Sequence, residues 1–189
     1  MRTLIIDNYD SYTNNLVTLW CEAMKAMFLD LRKVFERDEK IATDSVPLSE
    51  ILNIDFILEN LILIRNDQYS WEFVEQNILP FVDNVIISPG PGHPENEKDF
   101  GICSKTILLT KKPILGICLG HQGIASCFGT KIVKAEVPVH GQKSALRILE
   151  EAKFPLVSTN CKFKTSLFES IPQGISVVRY HSLVVDEKG

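Results

Sequence analysis

No run of apolar residues in the sequence is long enough to cross a bilayer, so no membrane-spanning helix is expected. Positive charge is also scarce. Lys and Arg number 20 against 24 Asp and Glu, a formal net charge of −4, whereas nucleic-acid surfaces are usually basic. Neither a nucleic acid nor a membrane is expected as a partner. Cys-x-x-Cys pairs are missing, and the five cysteines (Cys21, Cys103, Cys118, Cys127, Cys161) are odd in number. That argues against a disulfide framework and against a zinc site. A reducing, cytoplasmic setting with no metal and no cofactor is the expectation. The opening residues, Met1-Arg2-Thr3-Leu4-Ile5-Ile6-Asp7, reach a carboxylate too soon for a secretory signal or transit peptide. There is no internal repeat and no low-complexity segment.

What is present is an ordinary globular composition. The 189 residues are 45% hydrophobic and 23% charged, enough for one domain with a full core. Thr3 to Asp7 reads as a buried strand, followed by the polar loop Asn8 to Tyr12. Thr13 can cap a helix whose apolar residues Leu16, Leu19 and Trp20 share one face towards Met27. Residues from about Leu29 to Asn60 are harder to read, with a charged patch followed by Pro47 and an apolar-rich segment. An insertion with some helix and no catalytic role is expected there. Leu61 to Asn66 reads as a strand, Tyr69 to Leu79 as a helix capped by Ser70, and Asn84 to Ser88 as a buried strand. Lys98 to Thr110 reads as one helix. Strands alternating with helices predict an α/β fold, a mostly parallel central sheet with helices on both faces. After Gly129 the pattern changes. Lys131 to Val137, Gln142 to Leu149 and Ser176 to Val185 read as strands of a small antiparallel part in the C-terminal third, with a turn at Pro172-Gln173-Gly174.

The chain is organised around Pro113-Ile114-Leu115-Gly116-Ile117-Cys118-Leu119-Gly120-His121-Gln122. The stretch reads as a central buried strand, one cysteine between two glycines, and the start of a helix that ends at Gly129. Gly-x-Cys-x-Gly at such a junction is the cysteine form of a nucleophile elbow, in which the glycines permit a sharp turn and close backbone approach. Amides and dipole at the helix start would favour thiolate. A cysteine packed in a buried strand gives the same local pattern. In an open parallel sheet, ligands bind beyond the carboxyl ends of the strands. Three loops fall there: Asn8 to Tyr12, Pro89 to Pro94, and the elbow. A cysteine attacking a carbonyl needs donors for the oxyanion. Leu119 N–H and an N–H of the Gly90-Pro91-Gly92 loop are candidates, although Pro89 to Pro94 also reads as a turn that merely ends a strand.

Ile87-Ser88-Pro89-Gly90-Pro91-Gly92, Gly116-Ile117-Cys118-Leu119-Gly120-His121-Gln122 and Arg179-Tyr180-His181-Ser182-Leu183-Val184 together resemble the class I (triad) glutamine amidotransferases. Asp7-Asn8-Tyr9-Asp10-Ser11-Tyr12 is similar to the opening loop of the same family. The resemblance covers nearly the whole chain except about 29–60. It implies that Cys118 attacks the side-chain amide of L-glutamine to form a glutamyl thioester and release ammonia. It further implies an oxyanion hole from Gly90 and Leu119, and glutamine-binding by Gly90, Pro91, Gly92, Gln122, Ser182 and Leu183. Gln122 lies four residues after Cys118, so both can lie on one side of the first helical turn. Within the family, the resemblance is to the glutaminase parts that feed chorismate-using synthase domains or subunits. These are aminodeoxychorismate synthase, on the p-aminobenzoate route to folate, and anthranilate synthase, on the tryptophan route. His93-Pro94-Glu95 leading to Asp99-Phe100-Gly101-Ile102-Cys103, and Val137-Pro138-Val139-His140-Gly141, resemble the former.

The family takes the base for its cysteine from a later His-x-Glu segment, and the sequence holds none. Its histidines are His93, His121, His140 and His181, none of which occupies the family's base position. The expectation is a fragment of a longer protein, ending before that segment. A non-catalytic docking or regulatory subunit is the alternative.

Overall fold

The computed structural model describes residues 1–37, 53–148 and 171–186. Cys161 and residues 38–52 of the expected insertion lie outside them. The chain divides into two compact units, Met1–Ile132 with the chain from Val185 onward, and Val133–Val184.

In the first unit, β1 (Thr3–Asp7), β2 (Leu61–Arg65), β3 (Asn84–Ile87) and β4 (Ile114–Gly116) form one parallel sheet. The order is β2-β1-β3-β4. The chain therefore moves outward from β1 in one direction to β2 and then in the other to β3. The helices that follow β1 and β3 lie on opposite faces of the sheet at that reversal, which is where open parallel sheets offer a binding crevice. Side chains alternate between the two faces as the strand period requires. Leu4, Ile6, Ile64, Val85 and Ile87 face one core, covered by α3 (Trp71–Asn77), α4 (Glu97–Phe100), α5 (Cys103–Leu109) and α6 (Leu119–Cys127). Leu61 and Ile86 face the other, where Trp20, Cys21 and Met24 of α1 (Thr13–Arg37) pack with Ile57 of α2 (Ile54–Leu58). Trp20 satisfies its indole N–H on Thr3 Oγ1 at 3.0 Å. The expected parallel sheet with helices on both faces is what forms.

Four local expectations change. α1 continues to Arg37, well past Met27 and into the segment expected as an insertion. Lys98 to Thr110 is two helices, because Gly101 (φ 45°) ends the first of them. A Cβ there would strike the Asn66 carbonyl, so only glycine fits. The expected central strand before Cys118 lies at an edge of the four-stranded sheet, paired with β3, and Leu115 is 40% exposed. Finally, the strands expected on either side of Pro138 are one, β5 (Ile132–Ala145), which pairs with β6 (Ser176–Val185). Hydrogen bonds from Asp186 N to Lys131 O at one end, and from Leu146 N to Ile175 O at the other, make this ribbon antiparallel. A two-stranded ribbon has open edges, so the missing N–H of Pro138 is tolerated. Residue 149, the expected end of a separate strand, is outside the described part.

Candidate active site

The elbow begins where β4 runs into α6. Cys118 adopts φ 52° and ψ −104°, a conformation that non-glycine residues rarely accept. Its neighbours make the turn possible. A Cβ on Gly116 would lie 2.5 Å from Gly120 C and 2.7 Å from His121 N, and one on Gly120 would run into the Ile87 carbonyl. Ile117 N donates to Ile87 O at 3.0 Å and Gly120 N to Ile117 O at 3.0 Å, so the turn is pinned to the end of β3. The result is an exposed thiol at the start of a nine-residue helix. A cysteine packed in a strand core is thereby ruled out.

The side chain is accessible, yet the chain around its sulfur displaces water. That desolvation raises the thiol pKa above the ordinary value, and the Asp10 carboxylate raises it further. The Leu119 N–H acts the other way. The helix start thus helps the thiolate as expected, but desolvation outweighs it. No imidazole of the described first unit is among the groups acting on the sulfur.

The Pro89 to Pro94 loop comes to the same place. A Cβ on Gly90 would lie 2.5 Å from Asn8 Cβ and 3.0 Å from Leu119 Cδ2, so the loop, the β1 end and the elbow meet around Gly90. Gly92 (φ 89°) leaves no room for a side chain, because the Asp99 carboxylate fills that position. Asp99 Oδ2 accepts from His93 N at 3.0 Å and from Asn96 Nδ2 at 2.9 Å, so the loop is braced at its far end. Pro91 and Gly92 are exposed, Gly90 is half-buried, and Leu119 is buried. Gln122 is buried, and its N–H donates to Cys118 O at 2.9 Å. Ser182, exposed, and Leu183, half-buried, lie on β6 in the second unit. Cys118, Leu119, Gln122 and Gly90 to Gly92 thus belong to the first unit.

The sequence reading missed a buried polar knot beneath this loop. Asn8 N donates to Ser88 Oγ (2.9 Å) and Asn8 Nδ2 to Ser88 O (3.0 Å). Asn8 Oδ1 accepts from Asn66 Nδ2 (2.9 Å) and from the Cys103 thiol (3.3 Å). Asparagines at strand ends are common turn residues, and nothing in the sequence shows that two of them meet. Tyr9 (φ 61°) turns outward instead, donating to Asp67 Oδ1 at 2.7 Å with Arg65 over its ring. A cleft beside it is lined by Asp7, Asp10, Asn14, Arg65 and Gln68.

A strained, exposed cysteine on a strand–turn–helix elbow, with a glycine loop against it, has the geometry of acyl-transfer chemistry. Residues 4–189 match the family model for class I glutamine amidotransferases. The chain belongs to that family. Among class I amidotransferase relatives it is 36% identical over 187 residues to aminodeoxychorismate synthase of Streptomyces griseus, covering 99% of this chain and 19% of the relative. It is 33% identical over 189 residues to anthranilate synthase component 2 of Leptospira biflexa, covering 99% of this chain and 72% of the relative. The chain therefore spans about a fifth of the first and most of the second. A glutamine amidotransferase of Thermotoga maritima shares the fold, with a TM-score of 0.55 at 15% identity over 98% of this chain and 62% of that one. No helix among the described residues is long and apolar enough to cross a membrane.

Proposed function

We propose that the chain is the glutaminase part of an aminodeoxychorismate synthase, cleaving glutamine at Cys118 and supplying ammonia to a chorismate-using synthase. The observation that carries the glutaminase step is the exposed Cys118 at φ 52°, with Leu119 and Gly90 packed together beside it. The Cys118 thiolate attacks the side-chain amide carbon of glutamine. Charge develops on the amide oxygen, where Leu119 N–H and Gly90 N–H donate to it. The C–N bond then breaks, the nitrogen takes a proton and leaves as ammonia, and the acyl group stays on sulfur as a thioester. Water cleaves the thioester, giving glutamate and the free thiol. Gly90 to Gly92 and Gln122 hold the substrate; the family resemblance alone adds Ser182 and Leu183 for its α-amino and carboxylate ends.

The raised thiol pKa means that this step needs a base that the described first unit does not bring to the sulfur. The same observation favours the second reading, a docking subunit without turnover. The choice of acceptor rests on the resemblance of residues 93–103 and 137–141 and on the aminodeoxychorismate synthase relatives. The anthranilate synthase relatives support the tryptophan route at similar identity.

The test is to incubate the full-length protein with glutamine, with asparagine as control, and to weigh Cys118. A mass gain of one glutamyl group with glutamine alone is expected. With a chorismate-using partner, aminodeoxychorismate rather than anthranilate should accumulate. Absence of both thioester and ammonia, partner included, would leave the docking reading.

A further inference from the structure

We propose that Asn8 is a positioning residue that holds the Ser88 to His93 loop, and with it the Gly90 N–H, in the geometry the oxyanion requires. The proposal rests on the glutaminase reading and deepens it.

Both ends of the loop are tied to this one buried amide. At the near end Asn8 makes two bonds to Ser88, from its main-chain N to Oγ and from Nδ2 to the carbonyl. Ser88 in turn donates from Oγ to Pro89 O at 2.6 Å, fixing the direction in which the loop leaves β3. At the far end the tie runs through Asn66. Its Nδ2 donates to Asn8 Oδ1 (2.9 Å) and to Asp99 O (2.8 Å), and the Asp99 carboxylate takes the His93 N–H. Between the ends, Gly90 rests on Asn8 itself, with room for no Cβ. Asn8 is 1% exposed, so these bonds are made without competition from water.

An asparagine has both the valence and the short reach required here. The position needs one acceptor facing Asn66 and Cys103 and one donor facing the Ser88 carbonyl. Aspartate keeps the acceptor and shape but has no donor, and it places a charge beside a carbonyl. Asn8 touches no reacting atom; it acts through Ser88 and Gly90. Because an oxyanion donor works only when held at the place where charge develops, its loss of register costs rate more than substrate binding.

The experiment compares Asn8→Asp and Ser88→Ala with the native full-length protein, assayed with its synthase partner. Val74→Ala, a cavity in the core on α3, serves as the destabilised control. In both loop variants kcat for glutamine hydrolysis should fall about 100-fold, as for a lost oxyanion donor. KM should stay within about threefold. In Ser88→Ala, which adds no charge near the sulfur, alkylation of Cys118 by iodoacetamide, a displacement that forms no oxyanion, should stay within about twofold of native. Amide exchange at Gly90 and Gly92 should quicken by about tenfold or more, while that of α6 is unchanged. Ser88→Ala introduces no charge, so it carries the test if Asn8→Asp does not fold. Loop exchange and kcat that merely track Val74→Ala would overturn the proposal. A native protein that forms no thioester would remove the glutaminase reading, and Gly90 exchange alone would then decide whether Asn8 sets the loop.

Discussion

Cys118 shows in one residue how the fold serves the chemistry. Its backbone conformation costs about 1–3 kcal/mol, which the packing of Gly116 on Gly120, and of Gly120 on Ile87, over-determines. The elbow delivers an exposed thiol, but desolvation and Asp10 hold its pKa above the ordinary value. The thiolate fraction of the free protein therefore keeps rising with pH beyond the usual thiol range, about 8.5. Iodoacetamide alkylation of Cys118 should climb tenfold per pH unit up to and past that value, and a plateau near neutrality would contradict the direction. Asp10→Asn removes one of the raising contributions, so its alkylation at pH 7.5 should be faster by about two- to tenfold. Cys118→Ser should lower glutamine-dependent turnover at least about 1,000-fold while leaving ammonia-dependent synthesis by the partner intact, measured as product from each nitrogen source.

At the level of elements, the junction between α4 and α5 carries the loop. Gly101 turns the chain at φ 45° against the Asn66 carbonyl, and Ile102 N donates to that same carbonyl at 2.9 Å. Gly101→Ala should therefore destabilise by about 1–3 kcal/mol and loosen Asp99, read as a lower urea midpoint and faster exchange at His93. Gly123 of α6 faces the Phe100 ring, which is fully buried, so a methyl there has no room. Ser70→Ala is the contrasting case. Its hydroxyl caps α3 by accepting from Phe73 N at 3.2 Å on the exposed face, and it takes no part in the bonds that hold the Ser88 to His93 loop. It should cost about 1 kcal/mol and leave turnover untouched. Helix identity was legible because α3 and α6 carry their own caps and breaks: Ser70 before one, Gly129 (φ 91°) after the other. The break at Gly101 was not, since a glycine inside a helical pattern is tolerated unless a tertiary contact forbids the helix.

For the molecule as a whole, the cysteines set a limit at alkaline pH. Cys21, Cys103, Cys118 and Cys127 all belong to the first unit, and all have raised pKa values, led by desolvation. A raised folded-state pKa means that the folded form holds its proton more firmly than the unfolded one. Stability is fully present below the unfolded thiol pKa, about 8.5, and is lost as pH rises above it. Cys103, the most deeply buried of these, contributes a slope of about 1.4 kcal/mol per pH unit over that window. Resistance of the first unit to denaturation should weaken from pH 9 to 11, and Cys103→Ala should flatten the slope while lowering stability at neutral pH. An unchanged slope would show that other groups set it.

The strands of the parallel sheet and the elbow were legible in the sequence alone. Apolar period, caps and glycine spacing act over a few residues, and each is written in the chain where it acts. The same holds for Cys118, Leu119 and Gln122, which one turn of helix brings together. Tertiary structure decided that β4 lies at a sheet edge, that Pro138 sits within a continuous strand, and that the thiol is less acidic than its helix start implies. It also decided that Asn8, Asn66, Ser88 and Asp99 share one hydrogen-bonded knot. Those outcomes depend on groups that are dozens of residues apart in the chain, and desolvation and hydrogen bonding are set by what surrounds a group rather than by what precedes it.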